Sequence, residues 1–490
     1  MTGVPSNIII PFVGVEFDSS RASSGPAEVP INLLTIGQRL AAGTIPTETK
    51  FTAFNADEVG LKSGYGSMLH RMAMKIFKNN RTVPVTFLGT DDAGGAAAAT
   101  TVFTLAGTAT AVGELVCYVA GQRYAVGIAI GDAFGVVAAA LVALFVADVA
   151  NLPITAAAVA GAITLTAKNK GIAAGDLDVR FNANDGEAIP AGITSSAIVL
   201  TPGTGDPDLA DALAVIGADW FNVVAQPFTD NANMNLLETY LASISGPMVQ
   251  RDTVSYQALR DTLANMLTYG ADTTNRNSEW TVTLPAYKRM ESTYEIAAGV
   301  AVAACVSIQE LASIPLHRIR LEGFSVLHSD DKWTSTERNS LAKSAISTLT
   351  DDNGVQTEAT VTMYLKNSAG AADVAYQQQN TVFTLSALRY TFVNQILTKY
   401  PRALLADAAD NLAAGIQIMT PAIGKGEAVS WFRQMQRKGL VDPSNAALDQ
   451  FKEELTVTRD ATNNNRMNWI LPPDLMNQFI VGSGVMQFLA

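Results

Sequence analysis

Strand-like and helix-like segments alternate between residues 198 and 311, and this alternation constrains the fold more than any other feature of the chain. The short apolar runs typical of strands are residues 198–200, 220–224 and 280–284. Helices are predicted to begin at Asp206, Asp230, Ser255 and Glu291. Because helical crossovers connect parallel strands, the pattern predicts an open, largely parallel sheet.

A second module is predicted to interrupt this core. A low-complexity segment at residues 90–101 is rich in Gly, Ala and Asp and predicts a linker. A predicted hairpin centred on Gly121 and an Ala-rich helix from Ala133 follow it. The predicted fold class is therefore α/β and α+β multidomain, with an open mixed sheet and an inserted small α+β domain. The predicted regions are an N-terminal arm (1–25), the N-terminal part of the core (26–90), the inserted domain (91–196), an alternating α/β domain (197–328), a C-terminal core domain (329–454) and a C-terminal arm (455–490).

Both ends of the sequence have the composition of extended β-arms. No ionisable side chain follows Asp474, although terminal segments are normally polar. The strand-like residues near the start are Asn7, Ile8, Ile9, Ile10, Phe12 and Val13, and those near the end are Met467, Trp469, Ile470, Leu471, Phe479, Ile480 and Val481. We interpret them as inter-subunit strands, which would join copies of one chain.

Composition argues against several functional classes. The net charge of −12 disfavours wrapping nucleic acid, whose phosphates would repel the chain. Cys117 and Cys305 lie in separate apolar runs, and we expect buried free thiols. The first residues lack the basic segment of a secretory signal. Residues 133–147 are apolar but shorter than the roughly 20 residues that a spanning helix needs, so no membrane insertion is expected.

Motif searches give no specific catalytic, cofactor or metal site. The run Pro202-Gly203-Thr204-Gly205 precedes a predicted helix, but Asp208 replaces the third glycine of a dinucleotide fingerprint. Gly424-Lys425 resembles the end of a phosphate loop, yet Met419 replaces its first glycine. The three histidines have no metal-ligand spacing. We therefore expect no enzyme and no cofactor, while a nucleotide-dependent enzyme built on residues 197–328 remains the alternative.

A small basic cluster stands out in this acidic chain. Arg433, Arg437 and Lys438 lie near the end of a predicted helix at residues 427–438. Such residues are often solvated and favoured by the helix dipole. The functional alternative is a docking helix for an acidic partner.

The sequence resembles the Mu-like tail sheath proteins of contractile-tailed phages. The similar motifs are EFDSSRA at 16–22, GYGSML at 64–69, TGDPDLA at 204–210, QPFTDNAN at 226–233, TERN at 336–339, LRY at 388–390, YPR at 400–402, FK at 451–452 and LPPDLMNQ at 471–478. Each motif is short, but their order along nearly the whole chain is specific.

This resemblance implies a sheath-type core and a structural subunit that forms hexameric rings, stacked into a helical sheath around a tail tube. It implies that the arms add strands to neighbouring subunits and that contraction drives the tube through the host envelope. The implied partners are other copies of the chain, the tail tube protein, and baseplate and tail terminator proteins, with the basic cluster as the tube-docking site. The protein would reside in the virion after assembly in the host cytoplasm. A sheath of a phage-derived bacteriocin or injection system is a further alternative.

Overall fold

A computed structural model of the chain describes residues 28–80, 82–274, 276–408 and 416–487. It contains two compact units. The main unit comprises Pro30–Ala387, Gly439–Asp442 and residues 475–487, and the C-terminal unit comprises Leu388–Lys438 and Pro443–Asp474. The domain boundaries expected from the sequence stay predictions.

The first part of the main unit supplies half of a six-stranded sheet. Its elements are β1 (Leu33–Gln38), β2 (Lys50–Thr52), α1 (Ala56–Ser63), α2 (Met68–Asn79) and β3 (Val85–Thr90). Strand β1 is buried along its whole length and pairs in parallel with β3, while β2 forms an antiparallel edge. Helix α2 buries Leu69, Met72 and Ile76, as their helical spacing predicts.

Residues 100–201 form two antiparallel sheets and one helix. The elements are β4 (Thr100–Gly107), β5 (Gly113–Val119), β6 (Gln122–Ile128), α3 (Phe134–Ala147), β7 (Ile154–Val159), β8 (Ala162–Ala167), β9 (Val179–Phe181), β10 (Ile193–Ser195) and β11 (Val199–Thr201). One sheet has the order β10-β4-β8-β7, with β11 also paired to β4, and the other has the order β6-β5-β9. The predicted hairpin and Ala-rich helix are both present.

The prediction for residues 198–200 was wrong in one respect. A strand does form, at Val199–Thr201, but β11 pairs antiparallel with β4 instead of opening the parallel sheet. A short apolar run shows that a strand is favoured and does not show which strand is its partner.

The second half of the parallel sheet follows. Its elements are α4 (Ala210–Ile216), β12 (Val223–Ala225), α5 (Asn231–Ser245), β13 (Val254–Leu259), α6 (Leu263–Ala271), β14 (Thr281–Pro285) and α7 (Thr293–Glu310). The complete sheet has the order β14-β13-β12-β1-β3-β2, and all neighbours from β14 to β3 are parallel. The sheet is therefore open and mixed, with one antiparallel edge strand.

Two of the predicted helix starts were wrong. Ser255 lies inside β13, and α6 begins after Thr262, whose side chain accepts the amide of Asn265. Asp206 does not cap α4, because its carboxylate accepts the amide of Ala173. Asp230 caps α5 as predicted.

A further set of elements leads to the C-terminal unit. These are a short 3-10 helix (Ser329–Asp331), α8 (Ser335–Lys343), β15 (Leu349–Thr350), β16 (Gln356–Thr357) and α9 (Gln379–Lys399). The boundary between the two units falls within α9, at residues 387 and 388.

The C-terminal unit is mainly helical and ends in a hairpin. Its elements after α9 are β17 (Leu404–Leu405), β18 (Ile418–Met419), α10 (Pro421–Lys438), α11 (Asn445–Glu454), β19 (Thr456–Arg459) and β20 (Met467–Ile470). Stacked rings of Phe432 and Phe451, with centroids 4.2 Å apart, join α10 to α11. The indole of Trp431 donates to the Thr391 hydroxyl at 3.1 Å, which joins α10 to α9.

Candidate assembly interface

Strands β19 and β20 form an antiparallel hairpin in the C-terminal unit. Thr456 lies opposite Ile470, and Arg459 lies opposite Met467. In the part of the chain that the structure describes, neither outer edge of this two-stranded sheet pairs with a further strand. An isolated hairpin is marginally stable, and an open edge is a template for an additional strand.

The hairpin turn is held by one carboxylate. Asp460 accepts hydrogen bonds from the side chain of Asn468 and from Thr462 and the backbone amide of Asn463. These bonds hold the pKa of Asp460 far below its usual range, the Asn468 bond having the largest effect. The turn therefore fixes the register in which β20 follows β19.

One face of the hairpin packs on its own unit. The ring of Trp469 lies 6.1 Å from that of Phe392, and Val457, opposite Trp469, is buried. A Cβ on Gly424 of α10 would lie 3.0 Å from Val457 Cγ1 and 3.3 Å from Trp469 Nε1. The next side chain, Ile470, is 63% exposed. Trp469 therefore contacts its own unit, and the inter-subunit contact predicted for it stays a prediction.

Residues beyond the hairpin expose large apolar side chains. Leu475 forms a β-bridge with Val441 in the main unit. Phe479, Ile480 and Val481 then expose 79%, 56% and 82% of their surfaces. Such a run of exposed apolar residues is characteristic of a segment that binds a partner.

The inter-subunit role of the remaining arm residues also stays a prediction. Met467 and Leu471 are half-buried. The N-terminal set lies outside the described residues: Asn7, Ile8, Ile9, Ile10, Phe12 and Val13.

The C-terminal unit also carries a groove lined by cations, which we call the basic groove. It has a volume of about 450 Å³, and Lys425, Arg433 and Arg437 of α10 line it together with Lys452 of α11. The three α10 residues share one helix face because they are spaced by multiples of four. Lys452 pairs with Asp449 at 2.7 Å. Among the described residues, no carboxylate pairs with the three α10 cations.

The opposite face of α10 is anchored to α9 through Glu427. Its carboxylate accepts hydrogen bonds from Lys399 at 2.7 Å, from Tyr400 at 3.0 Å and from Gln395 at 2.9 Å. Burial opposes ionisation of Glu427, but these hydrogen bonds outweigh it and lower the pKa. The anchored face fixes the orientation in which α10 presents the basic groove.

The predicted basic cluster is brought together only in part. Arg433 and Arg437 line the groove, whereas Lys438 is not among its lining residues. Sequence reasoning missed Lys425 and Lys452. A signal for Lys425 exists, since it precedes Arg433 by eight residues, which is close to two helical turns.

The sheet crevice that an α/β enzyme would use is filled by residues 169–176, which we call the plug segment. Ligands of open α/β sheets bind outside the carboxyl ends of the strands. Gln38, the last residue of β1, donates to the carbonyl of Lys170 at 2.6 Å. Asp92, just after β3, accepts the Lys170 amide at 3.1 Å, and Arg260, just after β13, pairs with Asp176. The polypeptide thus occupies the ends of three strands.

The glycines of residues 202–205 serve packing against the same segment. A Cβ on Gly203 would lie 2.1 Å from the carbonyl oxygen of Gly171, so only glycine fits there. Asp206 then accepts the Ala173 amide at 3.0 Å. This run therefore positions the plug segment.

Two features are absent from the described residues. No helix in them is long and apolar enough to cross a bilayer. No group of three His, Cys, Asp or Glu side chains in them is arranged to hold a metal ion. Cys117 and Cys305 are buried free thiols, as predicted, and burial raises the pKa of Cys117 to about 12.

Solved sheath structures share this fold. The chain is similar to the anti-feeding prophage helical sheath in the contracted state, with 11% identity, 98% of this chain and 99% of that chain covered, and a TM-score of 0.50. It is also similar to the PVC sheath complex of an extracellular contractile injection system in the contracted state, with 7% identity, the same coverage and a TM-score of 0.50. The core is therefore of the sheath type.

Sequence comparisons agree with the fold. Residues 203–363 match the phage tail sheath protein central domain, and residues 371–485 match the phage tail sheath C-terminal domain. A Mu-like prophage FluMu tail sheath protein of Haemophilus influenzae is 32% identical over 488 residues, covering 99% of this chain and 98% of the relative. The chain belongs to the phage tail sheath protein family, and to its Mu-like group.

Proposed function

We propose that this sheath subunit forms hexameric rings that stack into a helical sheath, and that strands exchanged between neighbours join them. The observation that carries the proposal is the hairpin β19–β20, whose two edges are open in the described chain, together with the exposed Phe479, Ile480 and Val481 of the tail that follows it in the sequence. One chain thus presents both an acceptor for added strands and a candidate donor.

Strand addition suits the residues at both ends. Main-chain hydrogen bonds provide affinity, and alternating side chains set the register. The tail would supply one added strand, and residues 7–13 would supply another to a different neighbour. Because the donor and acceptor surfaces differ, the contact is heterologous. Such contacts give a ring where the rotation between subunits closes and an open helix where it does not.

The basic groove is the proposed docking surface for the tail tube. The chain carries a net charge of −12, yet Lys425, Arg433, Arg437 and Lys452 converge in one groove. Four cations in one groove would attract an acidic partner surface, and we assign that surface to the tail tube. Binding there would therefore weaken as ionic strength rises.

Contraction in this proposal releases strain stored during assembly and needs no nucleotide. The plug segment supports a non-enzymatic role, because it fills the crevice in which a nucleotide would bind. Baseplate and tail terminator proteins would bound the sheath at its two ends. The subunit would assemble in the host cytoplasm and remain in the virion.

Truncation of the tail tests the strand exchange. A chain ending at Met476 keeps the hairpin and the β-bridge of Leu475, so its fold should be retained. We expect the full chain to form long hollow cylinders in negative-stain micrographs and the truncated chain to remain as single subunits with an unchanged circular dichroism spectrum. Normal cylinders from the truncated chain would contradict the role given to the tail.

Point variants refine the test. Ile480→Asn and Val481→Asn together should weaken polymerisation, since they remove apolar contacts from the tail. Asn463→Ser in the exposed hairpin turn is the control and should leave assembly unchanged. A nucleotide turnover measured with discrete, unpolymerised particles would instead favour the enzyme alternative on residues 197–328.

A further inference from the structure

The outer side of helix α3 is an apolar surface without a partner in the described chain. No polar side chain occurs between Phe134 and Ala147. The inner side buries Val137, Leu141 and Phe145, while Val136 is 61% exposed and Val146 is 54% exposed. A helix that is apolar on all sides is normally covered on all sides.

The exposed residues form a regular line, which we call the α3 outer stripe. It consists of Val136, Ala139, Ala143 and Val146, all of them exposed. Their spacings of three and four residues place them on one face. The stripe spans about 15 Å, from the rise of 1.5 Å per residue. Its middle is formed by alanines, so another helix could approach closely.

A concave surface of matching character lies between α4 and α5, and we call it the α4–α5 groove. It has a volume of about 680 Å³. Its lining is largely apolar and rich in small residues, including Ala210, Leu213, Ala214, Leu236 and Tyr240. No carboxylate, lysine or arginine of the described residues lines it.

The dimensions of the two surfaces agree. The lining residues on α5 run from Ala232 to Ser243, a length of about 16 Å along the helix axis. The α3 outer stripe and the α5 side of the α4–α5 groove are thus each about three helical turns long. A helix lying in an apolar groove is a common recognition mode, with anchors at helical spacing.

One chain cannot bring these surfaces together. The crossovers β1–α2–β3 and β12–α5–β13 run in opposite directions across the sheet, so right-handed connections place α2 and α5 on opposite faces. The loop that follows α3 is tied to the α2 face, because Arg71 of α2 donates to the carbonyl of Asn151 at 2.9 Å. The groove belongs to the α5 face.

We propose that the α3 outer stripe of one subunit docks in the α4–α5 groove of another copy of this chain. This interface rests on the self-association in the proposed function but uses other residues than the terminal arms. The copy is the favoured occupant because it offers an uncharged convex helix of the required length to an uncharged groove. The contact is heterologous, so it can repeat along a polymer without closing.

Cross-linking of two single-cysteine variants tests the interface. Both native cysteines, Cys117 and Cys305, are buried, so new surface thiols can be labelled selectively. Full-length Ala139→Cys and Ala214→Cys chains would be mixed, polymerised and treated with a short bis-maleimide. A covalent dimer should form in the mixture and be absent when each variant is polymerised alone. Ala139→Cys mixed with Ala264→Cys, on the exposed side of α6, is the matched control and should give no dimer.

Each outcome is decisive. A dimer from Ala139→Cys alone would indicate a symmetric contact between two α3 helices and overturn the proposal. Cylinders without any cross-link would also overturn it, leaving another tail protein as the occupant, while the arm-based polymerisation would stand. If the wild-type chain formed no polymer, the proposed function itself would fail.

A charge in the stripe, Val136→Asp, should raise the concentration needed for polymerisation roughly tenfold or more, whereas Val112→Asp, also exposed, should not.

Discussion

Arg71 and Glu295 form an ion pair with an N–O distance of 2.6 Å, and their side chains are 1% and 0% exposed. The pair joins α2 to α7 on one face of the central sheet. The same guanidinium donates to the carbonyls of Ala120 and Asn151, both at 2.9 Å. One buried side chain therefore connects the parallel sheet to the antiparallel sheets of residues 100–201.

The first prediction concerns this pair. Arg71→Met keeps an apolar stem but removes the ion-pair partner of the buried Glu295 and the donor of two carbonyls. We expect the free energy of unfolding of the main unit to fall by roughly 3–5 kcal/mol, measured by urea denaturation of the unpolymerised chain. Arg320→Met is the control: its pair with Glu322 is more than half exposed on both sides, and the loss should stay below about 1 kcal/mol. Equal losses would contradict the assigned role.

The second prediction concerns pH. His70 is 1% exposed, and its Nδ1 accepts the amide of Gly66 at 3.0 Å. Burial, with a smaller effect from Arg71, lowers the pKa of His70 to about 4. The unfolded chain therefore binds a proton more readily than the folded chain below pH 6.5, and stability falls as the pH drops from there towards 4. The loss should approach about 3 kcal/mol at the lower end.

The measurement is a series of urea midpoints between pH 7 and pH 4 for the wild type and His70→Gln. The variant should lose the part of the slope that His70 contributes, even if it is less stable overall. An unchanged slope in His70→Gln would show that other groups cause the acid sensitivity.

The third prediction compares two glycines of α10. A Cβ on Gly424 would meet Val457 and Trp469 at 3.0 and 3.3 Å, whereas a Cβ on Gly426 would meet nothing within 4 Å. Gly424→Leu should push the hairpin away and destabilise the C-terminal unit by about 1–3 kcal/mol. Gly426→Leu should be neutral or stabilising by up to about 1 kcal/mol, because leucine favours the helix. Thermal unfolding of both variants would check this, and a similar loss in both would contradict the packing account.

The fourth prediction concerns the basic groove. Replacing Lys425, Arg433 and Arg437 with Glu should abolish co-assembly with the tail tube while leaving the fold intact, since all three side chains are exposed. Lys438→Glu, outside the groove lining, is the matched control and should retain tube binding. Co-sedimentation with preformed tubes at increasing salt would measure the effect. Normal binding by the triple variant would remove the docking hypothesis.

Local patterns in the sequence predicted most elements correctly but not their partners. The spacing of Leu69, Met72 and Ile76 was sufficient to predict a buried face of α2, because it depends only on the helical repeat. The strand at residues 199–201 was recognised, but its pairing with β4 depends on residues about 100 positions earlier. The helical spacing of Leu259, Leu263 and Met266 predicts a helix from Ser255, but the strand β13 extends to Leu259 and only the later residues are helical.

The candidate interfaces show the same limit. The strand pattern predicts that Trp469 lies in a strand, which is confirmed, but the contact of its ring with Phe392 depends on the register with β19, which decides which face is buried. Lys452 joins the basic groove only because stacking of Phe432 on Phe451 brings α11 beside α10. Neither relationship follows from spacing along one segment.

The plug segment has a mechanical consequence. Residues 169–176 attach to the chain at the ends of β1, β3 and β13 by separate polar contacts, through Gln38, Asp92 and Arg260. A force on the antiparallel sheets would thus be shared among three strands. Along a strand axis, many backbone hydrogen bonds resist such a force together. Sharing the load among three strands would keep these two parts of the subunit attached while the sheath rearranges during contraction.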